Sequence, residues 1–178
     1  MRVIKLLSVL FLLSVMSISC ENQTDENVVF YSKEQLTNNL PVQIKDTEGT
    51  KIAVNSNTVI RLSSSLFFKE NMIYLRDVSV PKMSFKIMNY NSTSSALSNV
   101  EVFLDEIQIT NDLGVNFLNV AKNNVEFEIS NEQLLQTIAA KLLLNKQVVI
   151  SYKSDAITQG KLDFDFDFFI TARGTFVD

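Results

Sequence analysis

Apolar and polar residues alternate through much of the second half of the chain. Over residues 82–88, Met83, Phe85 and Ile87 fall on one side and Lys82, Ser84 and Lys86 on the other. A period of two marks a half-buried strand. The pattern recurs at Val125, Phe127 and Ile129, with Glu126 and Glu128 between them. It is longest over residues 161–171, where Leu162, Phe164, Phe166 and Phe168 point inward and Asp163, Asp165 and Asp167 outward. Phe169 and Ile170 read as a break in that phase. Val100, Val102 and Leu104 share a face, and the slip at Asp105 and Glu106 reads as a bulge or bend. Residues 117–121 and 148–152 predict further strands.

The first half has shorter runs. Residues 28–31 predict a strand, and residues 32–40 an irregular stretch with one helical turn, ended by Pro41. Residues 42–45 and 50–54 flank Asp46, Thr47, Glu48 and Gly49, which is turn chemistry, so a hairpin is expected. Residues 55–57 read as another turn before a strand at 58–62. Short apolar runs at 66–68 and 72–75 flank a turn at 69–71, and loops are expected at 89–98 and 155–160. One helix is predicted near 131–144. Ser130 suits its N-cap and Gln133 completes a capping box. Leu134, Leu135, Ile138, Ala139, Leu142 and Leu143 cover about half of its circumference at ~3.6 residues per turn, and Leu144 lies off that stripe. The expectation is a mainly β fold: an antiparallel β-sandwich, immunoglobulin-like or similar, with one amphipathic helix capping an end of the core.

The first twenty residues obey a different rule. Arg2 and Lys5 precede an uncharged apolar run from Leu6 to Ile18, and Ser17, Ile18 and Ser19 lead to Cys20, the single cysteine. Charge, apolar run and small residues form the order of a secretory signal peptide, and the run is shorter than the ~20 residues of a membrane-spanning helix. The expected division is residues 1–19 as signal peptide, 20–27 as a polar tether and 28–178 as a single β-sandwich domain.

Composition narrows the chemistry. Setting Arg2 and Lys5 aside from the 16 basic residues leaves 14 against 20 acids, a formal charge of −6 beyond residue 19. That is no footprint for nucleic acid. With no His in the chain, Ser-His-Asp and Cys-His catalysis and His-bearing zinc sites are excluded. The 4 Gly are too scattered for a phosphate-cradling loop or dinucleotide fingerprint. Carboxylate chemistry, oxygen-ligated calcium and surface binding remain. Asp163, Asp165 and Asp167 invite a calcium reading. Yet acids alternating with Phe on a strand read first as a solvated face that discourages edge pairing. Asp105 with Glu106, and Glu126 with Glu128, are the carboxylate pairs that a glycosidase would need, with Tyr31, Tyr74, Tyr90 and Tyr152 as aromatic platforms. The loop at Tyr90, Asn91, Ser92 and Thr93 is the candidate ligand loop, since recognition commonly sits on loops of a rigid scaffold. No catalytic residue, cofactor or metal site is expected.

Two resemblances follow. The stretch Ser17-Ile18-Ser19-Cys20 resembles the lipobox of bacterial lipoproteins, which implies that Cys20 is lipidated, with palmitate-type acyl chains and a membrane anchor. From Asp77 to Val177, the order of elements is similar to that of Gram-negative lipoproteins of uncharacterised function with a β-sandwich domain. What matches is a Ser-Phe-Lys-Ile strand at 84–87, a Ser-rich loop, the run from Leu97 to Leu104, a Leu-rich helix and two final strands. The implied protein is a lipid-anchored binding or structural module of the cell envelope, on the outer membrane, meeting a protein or glycan at the surface. The alternatives are a carboxylate-dependent accessory enzyme acting on glycans, and an accessory lipoprotein of an outer-membrane protein complex.

Overall fold

Strand β8 (Leu162–Val177) organises the fold, and its sequence shows why. Leu162, Phe164, Phe166, Phe168, Ile170, Ala172 and Phe176 are all within 1% of complete burial. The alternation therefore runs through Ile170 without a break, and Phe169 lies on the other, partly exposed face. The structure, a computed structural model, describes residues 28–91, 95–109 and 125–178. The expected strand at 117–121 lies outside them, as do Ser92, Thr93 and the whole of residues 1–27 with Cys20.

Two four-stranded antiparallel sheets face each other across one buried apolar cluster. The first has the order β1-β8-β3-β6, with β1 (Val29–Ile44), β3 (Leu75–Met88) and β6 (Glu126–Ile129). The second has the order β2-β7-β4-β5, with β2 (Ile52–Arg61), β4 (Ser95–Leu104), β5 (Ile107–Gln108) and β7 (Gln147–Thr158). The mainly β sandwich is as expected.

Several local expectations are overturned. Residues 32–40 are strand, because β1 pairs with β8 along its whole length, from Val29 opposite Val177 to Ile44 opposite Leu162. Pro41 does not end the strand: β1 is an edge, where a missing N–H is tolerated. The expected hairpin of residues 42–54 does not form, for β1 and β2 belong to different sheets. Residues 55–57 continue β2 instead of turning. Residues 62–74 are two 3-10 turns around helix α1 (Leu66–Glu70), whose N-cap Ser65 accepts from the Phe68 N–H at 3.4 Å. The loop expected at 155–160 shrinks, since β7 runs on to Thr158.

Bulges explain why the period of two was hard to follow. In β3 the buried set passes from Leu75 to Val78 and Val80 and then to Met83, Phe85 and Ile87, with register shifts between Leu75 and Asp77 and between Ser79 and Lys82. In β4 the buried set passes from Leu97 to Val100 through a shift at Asn99, which has φ 51°. Each shift moves the parity so that apolar side chains stay inside. The slip at Asp105 and Glu106 is a two-residue hairpin turn joining β4 to β5, both residues at positive φ. Asp105 is tied to β7: its N–H donates to the Val149 carbonyl and its Oδ1 accepts from the Val149 N–H, each at 2.8 Å.

Helix α2 (Glu132–Asn145) carries Leu135, Ile138, Ala139 and Leu142 into the core. Its N-cap is Asn131, not Ser130, with Asn131 Oδ1 accepting from the Leu134 N–H at 3.0 Å. Lys146 closes the other end in the left-handed conformation, φ 61°. Leu144, off the stripe, is 80% exposed.

The two sheets are also tied by polar groups. Buried Thr47 and Thr158 bond to each other three times: the Thr47 N–H to Thr158 Oγ1, Thr47 Oγ1 to the Thr158 carbonyl, and the Thr158 N–H to Thr47 Oγ1, at 2.9–3.2 Å. At the β1–β2 edge, Asn38 Nδ2 donates to the Val59 carbonyl at 2.7 Å.

Two outcomes test this packing. A Cβ added at Gly174 would lie 2.6 Å from the Phe176 ring and 2.8 Å from that of Phe68. Both rings are fully buried, so Gly174→Ala should destabilise by about 1–3 kcal/mol, as overpacking does, measured by urea unfolding. Tyr152 is buried against Phe164 and Phe166 and donates to Ser154 Oγ at 2.7 Å. Burial pushes its phenol far above the ordinary range. The native state thus keeps its proton where the unfolded state releases it near pH ~10. The stability tied to this group is whole below that pH and declines as pH rises above it. Tyr152→Phe should flatten the alkaline decline in unfolding free energy, measured by urea unfolding across a series of alkaline pH values.

Candidate functional site

The short length of β6 creates the most distinctive surface. It pairs with β3 only from Met83 to Lys86. The preceding part of β3, residues 75–82, has β8 on one side and no strand on the other among the described residues. Helix α2 lies along that open edge. Where Leu135 and Leu143 flank a run with Ala139 and Ala140, the small side chains leave a hollow between helix and strand. The resulting cleft has a volume of about 530 Å³ and an apolar lining that includes Val78, Val80, Pro81, Leu135, Ala139 and Leu143. Asp77 and Glu132 also line it, and among the described residues no cation does. Pro81, inside the register shift between Ser79 and Lys82, separates this edge from the part of β3 that β6 covers. The arrangement suits an extended apolar segment bearing positive charge.

The residues singled out from sequence are dispersed. Asp105 is engaged by Val149 and stands 3.6 Å from Lys141. Glu126 and Glu128 are on the other sheet, paired with Lys86 at 3.3 Å and Lys82 at 3.1 Å. Hydrogen bonds from Ser84 and then Lys86 lower the Glu126 pKa, and Glu128 raises that of Lys82. The two carboxylate pairs do not converge. Tyr152 is core, not a platform, while Tyr31 is 75% exposed.

Of the candidate ligand loop, Tyr90 and Asn91 are among the described residues, and both contact β8. Tyr90 is half-buried, with its ring 6.1 Å from that of Phe164. Asn91 acts as a strand partner for Asp163: its N–H donates to the Asp163 carbonyl at 3.2 Å and its Oδ1 accepts from the Asp163 N–H at 2.8 Å.

The aspartate row faces out, as the alternation predicts, but its neighbours were not legible. Each carboxylate accepts from an asparagine amide: Asp163 from Asn91 at 3.3 Å, Asp165 from Asn89 at 2.6 Å and Asp167 from Asn39 at 2.8 Å. Lys161 pairs with Asp163 at 2.8 Å. Asp163 Oδ1 alone is buried without a partner among the described residues. Calcium takes six to eight oxygens, roughly, and no group of three or more potential ligand residues gathers among the described residues.

No protein-family model and no curated protein matches the sequence. Among solved structures, the chain is similar to the decameric BFDV capsid protein, at 11% identity over 82% of this chain and 99% of that one, TM-score 0.46. It is also similar to the capsid of the nodavirus of the giant freshwater prawn Macrobrachium rosenbergii, seen as a semi-empty virus-like particle, at 11% identity over 88% and 97%, TM-score 0.41. A third is the capsid of Helicobacter pylori bacteriophage KHP30, at 10% identity over 79% and 93%, TM-score 0.32. These findings correct the expectation of a lipid-anchored, palmitate-bearing lipoprotein of the outer membrane, along with its alternatives as a glycan-acting accessory enzyme or an outer-membrane accessory lipoprotein. The neighbours in structure are virion proteins. The likeness is one of strand arrangement, and no activity is taken from it. Among the described residues no helix is long and apolar enough to cross a membrane.

The amide-clasped aspartate row yields an expectation. Millimolar Ca²⁺ should leave the melting temperature unchanged, and Asp165→Asn should shift stability by no more than about 0.5 kcal/mol, as surface changes do. A Ca²⁺-dependent rise in melting temperature, lost in Asp165→Asn, would contradict both.

Proposed function

We propose that the chain is a non-catalytic interaction module that takes an extended segment of a partner protein into the cleft between β3 and α2. The observation that carries this reading is the edge of β3, open among the described residues, beside an apolar hollow whose charged linings among those residues are Asp77 and Glu132. An unpaired edge offers backbone donors and acceptors to an added strand, and neighbouring pockets select alternate side chains. The two carboxylates select a partner with apolar residues and a lysine or arginine, and disfavour acidic ones. The dispersal of the other carboxylates over both sheets supports the non-catalytic part.

The test uses a synthetic seven-residue peptide alternating valine with lysine, and a control with glutamate replacing lysine. The lysine peptide should shift amide resonances of residues 75–82 and 132–143, and the control should not. Ala140 is exposed on the rim. Ala140→Arg fills the cleft with a cation without removing a packed side chain, so it should abolish binding and leave the unfolding midpoint nearly unchanged. Equal binding of both peptides, or binding insensitive to Ala140→Arg, would overturn the reading. So would a concentration-dependent dimer abolished by Ala140→Arg in the absence of peptide, which would make a second copy the occupant.

A further inference from the structure

The outer face of the first sheet contains one unfavourable arrangement. Lys33 of β1 stands directly opposite Arg173 of β8, which in turn stands opposite Ser79 of β3. All three are exposed, and like charges facing each other across a ladder destabilise it. Two cations of β3 further along have acids beside them, Lys82 with Glu128 and Lys86 with Glu126. Among the described residues Lys33 and Arg173 make no ion pair. The next residue in β1, Glu34, faces the other way, where its carboxylate accepts from Ser32 at 2.8 Å and Ser65 at 3.0 Å. Asp77 is one row along, opposite Thr175, and lines the cleft with α2.

The adjoining row is Tyr31 opposite Thr175. Together with Lys33, Arg173 and Ser79, these residues line a shallow cleft of about 470 Å³. Two cations, the hydroxyl residues Ser32, Ser79 and Thr175 and an exposed phenol ring line one hollow of a chain whose formal charge is −4.

We propose that this hollow binds an acidic sugar. Its carboxylate or sulfate lies between Lys33 and Arg173, where the guanidinium offers a bidentate fork to a planar or tetrahedral oxyanion. The ligand's charge relieves the repulsion between the two cations. Ser79 and Thr175 reach sugar hydroxyls, and the Tyr31 ring meets the apolar face of the ring. A long phosphodiester is disfavoured, because Asp167, Asp165 and Asp163 continue along the same face of β8. An acidic peptide would leave the Tyr31 platform unused.

Calorimetric titration of the protein tests this with four probes: tetragalacturonate, a heparin-derived tetrasaccharide, neutral maltotetraose and tetraglutamate. One or both acidic sugars should bind, with maltotetraose and tetraglutamate weaker by roughly tenfold or more, the scale of a charge-assisted contact. Lys33→Gln and Arg173→Gln should each weaken the acidic sugar by a similar factor, and Tyr31→Ala should weaken it without changing the salt dependence. Without ligand, Lys33→Gln should raise the melting temperature at low ionic strength and not at high, because it removes the repulsion. That arm reads folding directly, so loss of binding through misfolding would be visible. Equal affinity for neutral and acidic sugars, tighter binding of tetraglutamate, affinity unmoved by both charge variants, or no binding by any probe would overturn the proposal.

Discussion

The inward row of β8 is the constraint from which the rest of the molecule follows. Phe164, Phe166 and Phe168 stand in successive contact, with centroids 5.6 and 6.0 Å apart, and β8 lies between β1 and β3 in the first sheet. Phe85 of β3 meets Phe166 and Phe168 from one side, and Tyr152 of the facing sheet meets Phe164 and Phe166. Each such side chain contributes about 1.5–3 kcal/mol when withdrawn from water. A one-residue slip of β8 would exchange these rings for Asp163, Asp165 and Asp167. Register in the first sheet is therefore held by a large difference in burial, and β1 and β3 take their places from it.

Where that aromatic row ends, the chain uses polar atoms to finish the sandwich. Thr47, just beyond β1, and Thr158, at the end of β7, link the two sheets through hydrogen bonds that each use a side-chain hydroxyl. Ser65, held by Glu34, caps α1 and sets Phe67 and Phe68 against Phe176. Gly174 leaves the space those rings need. Asn99 and Asp105 take left-handed backbone conformations that side-chain hydrogen bonds secure: Asn99 donates to Asp155 at 2.6 Å. These contacts unite residues far apart in sequence, as with Thr47 and Thr158, 111 residues apart.

Both surfaces with functional promise arise as by-products of this construction. The β3–α2 cleft exists because β6 covers only four residues of β3 while two alanines keep the helix surface low. The basic pair exists because the long β1–β8 ladder places Lys33 beside Arg173. One surface is apolar with acidic linings and the other is cationic with hydroxyls. They present different chemistry and flank the same segment of β3, since Ser79 belongs to the linings of both.

The sequence by itself determined what depends on local period and on a single chain segment. The alternation of Phe with Asp in β8, the clean strand at 126–129 and the apolar stripe of α2 all depend on side chains two, three or four residues apart, and all were legible. The absence of His likewise narrowed the chemistry without any coordinates. Strand partners were not legible. Nothing local distinguishes β1 as a continuous edge strand through Pro41 from a broken one. That depends on β8, more than a hundred residues away, supplying the ladder. The bulges in β3 and β4 hid their period, because each shifts the parity that pattern reading assumes constant. Tyr90 and Asn91 read as a free loop until Phe164 and Asp163 were seen beside them. The Lys33–Arg173 pair and the β3–α2 cleft are products of register and of a β3 edge without a strand neighbour among the described residues, which only the tertiary structure decides, because they are relations between segments and not properties of any one of them.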